Sequence, residues 1–370
     1  MRDLIVFGED FGGLPSSTQH LILQLSRERK VLWINSIGLR QPKLNWRDMA
    51  RVWQKLRGQT RQTYSTQVAP PAQIQVVNLR TIPAPRSSWA RALAKTSMLT
   101  QLKPILRRAQ LNRPILWSSL PTAADLCGEL GESAVVYYCG DDFAALDGVD
   151  HDTVAQHEDR LVHHAQLILA SSQELQQKFP AQKTHFLPHG VDLKLFTTPA
   201  ERAHDLPNNG RPIAGFYGSL SEWLDCKMLN HVTAALPDWN FVFIGPNKLE
   251  KEALVLRENV YLLGSRPHHQ LPSYCQHWDV SLLPFKLNEQ IRACSPLKLM
   301  EYLAIGKPIL SSPYPAALRY QDQLHLVSNA QQMITALSRY RSLSPSSPQC
   351  VTQDSWHSRS MWLSNLLEQL

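Results

Sequence analysis

The chain has 370 residues, 43% hydrophobic and 19% charged, with a net charge of +7. That length suits two ordinary α/β domains, each with its own core, and the positive balance suits an anionic partner. Six scattered cysteines (Cys127, Cys139, Cys226, Cys275, Cys294, Cys350) form no C-x-x-C pair, which argues against a disulfide framework or a zinc site. No run of about 18 apolar residues occurs, and the apolar run in "MRDLIVFGED" is too short for a signal peptide, so the expected location is cytoplasmic or peripheral on the inner face of the plasma membrane.

The first predicted strand, "LIVFG" at 4–8, leads into "GEDFGGLPSSTQHLILQL". Gly12 and Gly13 allow close backbone approach to a ligand, and Ser16, Ser17 or Thr18 can cap the helix that follows. The spacing is not G-x-G-x-x-G, which disfavours a dinucleotide cofactor; a plain tight turn is the alternative. Strands follow at "VLWIN" (31–35) and "IQVVNL" (74–79). Two basic stretches lie in this half. Residues 40–61 hold Arg40, Lys43, Arg47, Arg51, Lys55, Arg57 and Arg61 against Asp48, and residues 86–108 hold Arg86, Arg91, Lys95, Lys103, Arg107 and Arg108 without an acid. Trp46, Trp53, Trp89, Met98, Leu99 and Leu102 are interleaved with them. Such a pattern fits an anionic membrane surface, or else a solvated helix face with Trp and Leu in the core. Nucleic acid is not expected, since no known binding motif or aromatic platform accompanies the basic runs.

Further strands are predicted at "ILWSS" (115–119), "VVYYC" (135–139) and "LILAS" (167–171). "VVYYC" ends in Gly140, Asp141 and Asp142, where a carboxylate at a strand's carboxyl end can take a proton from a hydroxyl nucleophile, or merely cap a helix or face solvent. The turn-rich stretch "TTPAERAHDLPNNGRP" reads as a domain linker. Strand–helix alternation then restarts with "IAGFYG", "FVFIG", "NVYLLG", "DVSLLP", "PILSS" and "LHLVS". After "IAGFYG", Gly218 and Ser219 can meet a phosphate, or Ser219 or Ser221 can cap the next helix.

"SPLKLMEYLAIGKPIL" (295–310) begins as a helix and ends as a strand. Ser295 is read as its N-cap, Pro296 as the first helical residue and Gly306 as the left-handed C-terminal residue. Lys298 in the first turn opposes the helix dipole unless an anion sits there. Glu301, one turn on, suits sugar hydroxyls, or pairs with Lys298 on the surface. The final "SWHSRSMWLSNLLEQL" reads as an amphipathic helix free to pack back on either domain.

Together "VVYYCGDD", "LILASSQEL", "FLPHGVDLKLF", "GFYGSLSEWLD", "NVYLLGSRP" and "SPLKLMEYLAIGKPIL" resemble, in order and spacing, the GT-B glycosyltransferases of bacterial cell-surface polysaccharide synthesis. The resemblance implies an α/β chain of two doubly wound Rossmann-like domains facing across a cleft. They would be an acceptor-side domain at 1–200, a nucleotide-sugar domain at 201–345 and a C-terminal helix at 346–370. It implies metal-independent transfer from a nucleoside diphosphate sugar to a glycan or lipid-linked glycan, without a cofactor. Lys298 would meet the diphosphate and Glu301 the ribose. Ser295, Leu297, Gly218 and Ser219 would line the donor site, Gly12, Gly13 and Ser16 the cleft, and Asp141 or Asp142 would be the base. Retaining members carry an acid where this chain has Ala293, and an aspartate base fits inverting displacement. The rival readings are a nucleotide-sugar epimerase of the same fold and a non-catalytic nucleotide-sugar or membrane-binding protein.

Overall fold

The structure is a computed structural model and describes residues 1–13, 16–36, 69–81, 88–143, 150–250 and 252–370. The basic stretch at 40–61 lies outside the described residues. The chain divides into two compact units, Met1–Pro188 with His357–Leu370, and His189–Trp356.

The first unit holds a parallel sheet of seven strands: β1 (Leu4–Phe7), β2 (Val31–Ile34), β3 (Ile74–Val77), β4 (Ile115–Ser118), β5 (Ala134–Cys139), β6 (Leu167–Ala170) and β7 (Thr184–Phe186). Their order is β3-β2-β1-β4-β5-β6-β7. The near-continuous apolar strands, buried along their length in β1, β2, β4, β5 and β6, are what a sheet covered on both faces requires. The order reverses between β1 and β4, and the crevice beyond the strand ends at such a point is where doubly wound folds bind ligands.

The second unit repeats the plan with β8 (Ile213–Tyr217), β9 (Asn240–Ile244), β10 (Val260–Gly264), β11 (Val280–Leu283), β12 (Ile309–Ser311) and β13 (His325–Leu326). The order is β10-β9-β8-β11-β12-β13, all parallel, with the reversal between β8 and β11. Trp278, Tyr302 and Tyr314 fill its core. Gly215 in β8 lies so close to the Trp278 ring that any Cβ would run into it.

Two boundaries differ from the sequence reading. The division falls at Pro188/His189, not near 200, and the turn-rich stretch belongs to the second unit. There the Ala200 amide donates to Gln276, and Asp205 pairs with Arg266 and accepts from the Tyr274 hydroxyl. Turn composition marks surface loops as readily as linkers. The closing helix, Trp356–Glu368, belongs from His357 onward to the first unit. Leu363 and Leu367 are fully buried, and the buried Arg29 guanidinium pairs with Glu368 at 2.9 Å and donates to the Ser364 hydroxyl at 2.6 Å.

The helix Ser88–Ala109 also corrects an expectation. Arg91 is buried and forms a two-pronged pair with Asp125 (2.7 and 3.2 Å), and Lys95 pairs with Glu129 at 2.6 Å. The acids missing from its own sequence come from residues 121–132. Met98 and Leu102 face the core, while Trp89, Leu93, Lys103, Arg107 and Arg108 point outward. No described helix is long and apolar enough to cross a membrane.

Candidate functional site

In the second unit the site is built where strand order reverses. β8 ends at Tyr217, and Gly218 follows with φ +131°. The Gly218 amide donates to the Ile244 carbonyl at 2.8 Å, and the Gly245 amide to the Gly264 carbonyl at 2.8 Å. Gly218, Gly245 and Gly264 thus stand side by side at the carboxyl ends of β8, β9 and β10, all at positive φ. A Cβ on Gly245 would run into the Gly218 carbonyl, and one on Gly218 would lie 2.7 Å from Lys298 Cε. Glycine is required here because backbone and lysine occupy the space a side chain would need.

Lys298 stands in the first turn of the Leu297–Ile305 helix. Its ammonium lies 5.5 Å from the Phe216 ring centre and 5.6 Å from that of Phe285. The N-cap is Pro296, extended at φ −69°, ψ 127°, with no side chain closing the helix end. Ser295 is therefore not the cap: proline itself takes the extended residue, and the helix starts one position later. Gly306 takes the left-handed C-terminal position as expected, at φ 77°. An uncapped helix start beside an ammonium is a receptor for an anion.

Glu301 is 7% exposed, which removes the solvated surface-pair reading. Its Oε2 accepts from the Tyr217 hydroxyl at 2.6 Å, and its Oε1 lies 2.6 Å from His268 Nε2. The Tyr217 amide donates to the Tyr302 hydroxyl at 3.1 Å, which fastens the end of β8 to the helix bearing Glu301. Burial, reinforced by the Glu301 charge, pushes the Tyr217 hydroxyl far above its ordinary range. Burial also disfavours a charged His268, yet the hydrogen bond and charge of Glu301, with the charge of Asp192, raise it above 6.5. Neither Ser219 nor Ser221 caps a helix; Asp225 caps the next one, and the two serine hydroxyls lie 3.3 Å apart.

Gly12, Gly13, Ser16, Asp141 and Asp142 belong to the first unit. Gly12 has φ 76°, and Gly13 closes a turn onto the Asp10 carbonyl. Ser16 caps the Ser17–Leu25 helix and donates to Glu9 at 3.0 Å. Asp142 is held by Lys178 at 2.9 Å, and Lys178 also pairs with buried Glu158 at 2.7 Å. Asp141 is exposed. Glu9, which the sequence reading passed over, follows β1 at that sheet's own reversal. Burial raises its carboxyl above 4.5; its backbone hydrogen bond and Ser16 oppose this, and the charge of Asp10 adds to it. Its location directly after a strand, in "GEDFGG", was the available signal. Tyr217 and His268 carried no local signal of their own. Among the described residues, no group of three or more His, Cys, Asp or Glu is placed to hold a metal ion.

Residues 211–341, which contain this whole arrangement, match the family model of glycosyl transferases group 1. The second unit is a glycosyl transferase group 1 domain. Outside the group 1 domain the similarity extends further. The chain is 28% identical over 244 residues to TuaH of Bacillus subtilis (strain 168), described as a teichuronic acid biosynthesis glycosyltransferase. That match covers 60% of this chain and 61% of TuaH, under two thirds of the relative's length. Among solved structures, Anabaena HepE in complex with UDP and glucose superposes with a TM-score of 0.71 at 13% identity, over the whole of both chains. The α,α-trehalose 6-phosphate synthase of Burkholderia multivorans gives 0.65 at 13% identity, over 100% and 99% of the two chains. Both likenesses concern the fold, and the fold is GT-B.

Proposed function

We propose that the chain transfers a sugar from a nucleoside diphosphate sugar to a hydroxyl of a glycan or lipid-linked glycan in surface-polysaccharide synthesis. The observation that carries this is the uncapped start of the Leu297–Ile305 helix with Lys298 set against Gly218. The leaving diphosphate gains negative charge as the glycosidic C–O bond breaks, and a fixed ammonium beside helix N–H groups favours that charge. The group 1 match and the bound UDP and glucose of HepE support a nucleotide-sugar donor, and favour transfer over epimerisation.

In this reading Glu301 holds the ribose, and Leu297, Ser295, Gly218 and Ser219 line the donor site. Asp141 or Asp142 takes the acceptor's proton as the acceptor's oxygen attacks the anomeric carbon. Ala293, buried at the end of the Glu289–Ala293 helix, offers no second carboxylate, which supports direct, inverting displacement. The outward Trp89, Leu93, Lys103, Arg107 and Arg108 support a peripheral contact with an anionic membrane, where a lipid-linked acceptor would be met.

The test is calorimetric titration of nucleoside diphosphates. Lys298→Ala and Glu301→Ala are each expected to weaken binding by about 1.5–3 kcal/mol, the worth of a charged hydrogen bond. Unchanged affinity in both would remove the donor-site assignment.

A further inference from the structure

Glu301 is a buried carboxylate with a histidine on one oxygen and a tyrosine on the other. We propose that His268 is a positioning residue for the donor: it aims the Glu301 carboxylate at the ribose and supplies a positive charge matched to a doubly charged nucleoside diphosphate sugar. The inference rests on the donor-site reading above.

Geometry leads. His268 begins a short turn, His268–Gln270, that follows β10, and Glu301 lies on the helix Leu297–Ile305, 33 residues further along the chain. The 2.6 Å contact between Nε2 and Oε1 requires that Nε2 carry the proton, because a carboxylate only accepts. The Phe196 ring stands edge-on to the imidazole at 5.4 Å, which fixes the ring's plane. Tyr217 holds the other carboxylate oxygen, so both oxygens are fixed in direction. A carboxylate oxygen accepts up to two hydrogen bonds, so the contacts to His268 and Tyr217 orient Glu301 without of themselves barring a ribose hydroxyl.

Charge follows. The titratable groups around the imidazole are Glu301 itself, Asp192 at the start of the Leu193–Thr197 helix, and, around Glu301, Cys275, Tyr217 and Tyr302. The thiol and both phenols are pushed well above their ordinary ranges by burial first, so they stay neutral; the Glu301 charge comes next for Cys275 and Tyr217, while for Tyr302 the backbone hydrogen bond with Tyr217 opposes the shift and the Cys275 and Glu301 charges add to it. Lys298 and His268 then oppose Glu301 and Asp192. With His268 charged the four groups cancel; with it neutral they sum to −1. A donor with two negative charges is therefore held more tightly while His268 keeps its second proton. The diphosphate of a nucleotide sugar does not itself titrate near neutrality, so a pH dependence in that range reports on the protein.

The experiment titrates UDP-glucose, GDP-mannose and ADP-glucose into the full chain and carries forward the tightest. Wild type, His268→Ala, His268→Gln and Glu301→Gln are compared from about pH 6 to about pH 9. Wild-type affinity is expected to fall by about tenfold as pH rises, one charge's worth. His268→Gln, whose Nε2 still donates to Glu301, should keep the wild-type affinity of the alkaline limit at every pH. His268→Ala should bind at least about tenfold more weakly than wild type throughout. The wild-type slope surviving in His268→Gln, or wild-type affinity in His268→Ala, would overturn the proposal. If Glu301→Gln also binds as wild type, the ribose assignment fails; if it binds weakly while His268→Ala does not, the His268 role alone fails. Binding of none of the three donors by wild type would reject the donor-site reading, and this inference with it. Should His268→Ala not fold, the pH profile of His268→Gln decides.

Discussion

A methyl group at position 218 would lie 2.7 Å from Lys298 Cε, on a backbone at φ +131° that side chains rarely adopt. Gly218→Ala is expected to cost about 1–3 kcal/mol of stability and to displace the ammonium, so nucleotide affinity should fall further than in a surface control. Thermal denaturation and titration together check this; full affinity in a destabilised variant would separate Lys298 from the phosphates. Glu9 makes a second prediction at this scale. Its carboxyl is raised above 4.5, so folding favours the neutral form. Below that value both folded and unfolded chains are protonated and nothing is lost. As pH rises the unfolded chain ionises first, and the folded state loses stability until Glu9 itself ionises. Glu9→Gln, which can still accept from Ser16, should therefore raise the melting temperature at neutral pH and leave it unchanged near pH 4. An equal shift at both pH values would mean that packing, not charge, sets the effect.

The helix Ser88–Ala109 separates structural from outward charges. Arg91→Ala breaks a buried pair and is expected to cost about 3–5 kcal/mol in denaturant unfolding. Charge reversal of Lys103, Arg107 and Arg108 should stay within about 0.5 kcal/mol in stability yet abolish co-sedimentation with anionic vesicles at low salt. Binding that survives the reversal would place the contact elsewhere. Elements of this kind were largely legible from sequence. Apolar runs bounded by glycine and proline marked twelve strands within a residue or two, because a sheet covered on both faces leaves no other pattern. The three-residue β7 escaped, being too short to carry one. Lys298, Glu301 and Gly306 were legible because they share one helix. Tyr217 and His268 were not: they reach Glu301 only because strand order carries β8 and β10 to the same end of one sheet, and register is not written in either segment alone. The helix start was misplaced by one residue because Ser295 and Pro296 each suit a cap, and backbone conformation decides between them.

At the scale of the molecule, the chain leaves the first unit at Pro188 and returns to it at His357. Removing 357–370 would uncover the surface under Leu363 and Leu367 and strip Ser364 and Glu368 from the buried Arg29. The first unit should lose stability, with Leu363→Ala alone costing about 2–5 kcal/mol, while the second unit keeps nucleotide binding. Hydrogen exchange resolved by segment checks this: equal loss of protection in both units would show that they unfold as one. The same return path has a consequence for synthesis. Domains generally fold as they emerge from the ribosome, amino end first. Here the unit begun first is finished last. Its closing helix emerges only after all of the second unit, so through some 170 residues of translation the newborn first unit must carry an uncovered apolar seat and a guanidinium that keeps the Arg2 carbonyl but lacks Ser364 and Glu368. A stall at the end of that interval would hand chaperones a chain whose second unit is complete and whose first is not.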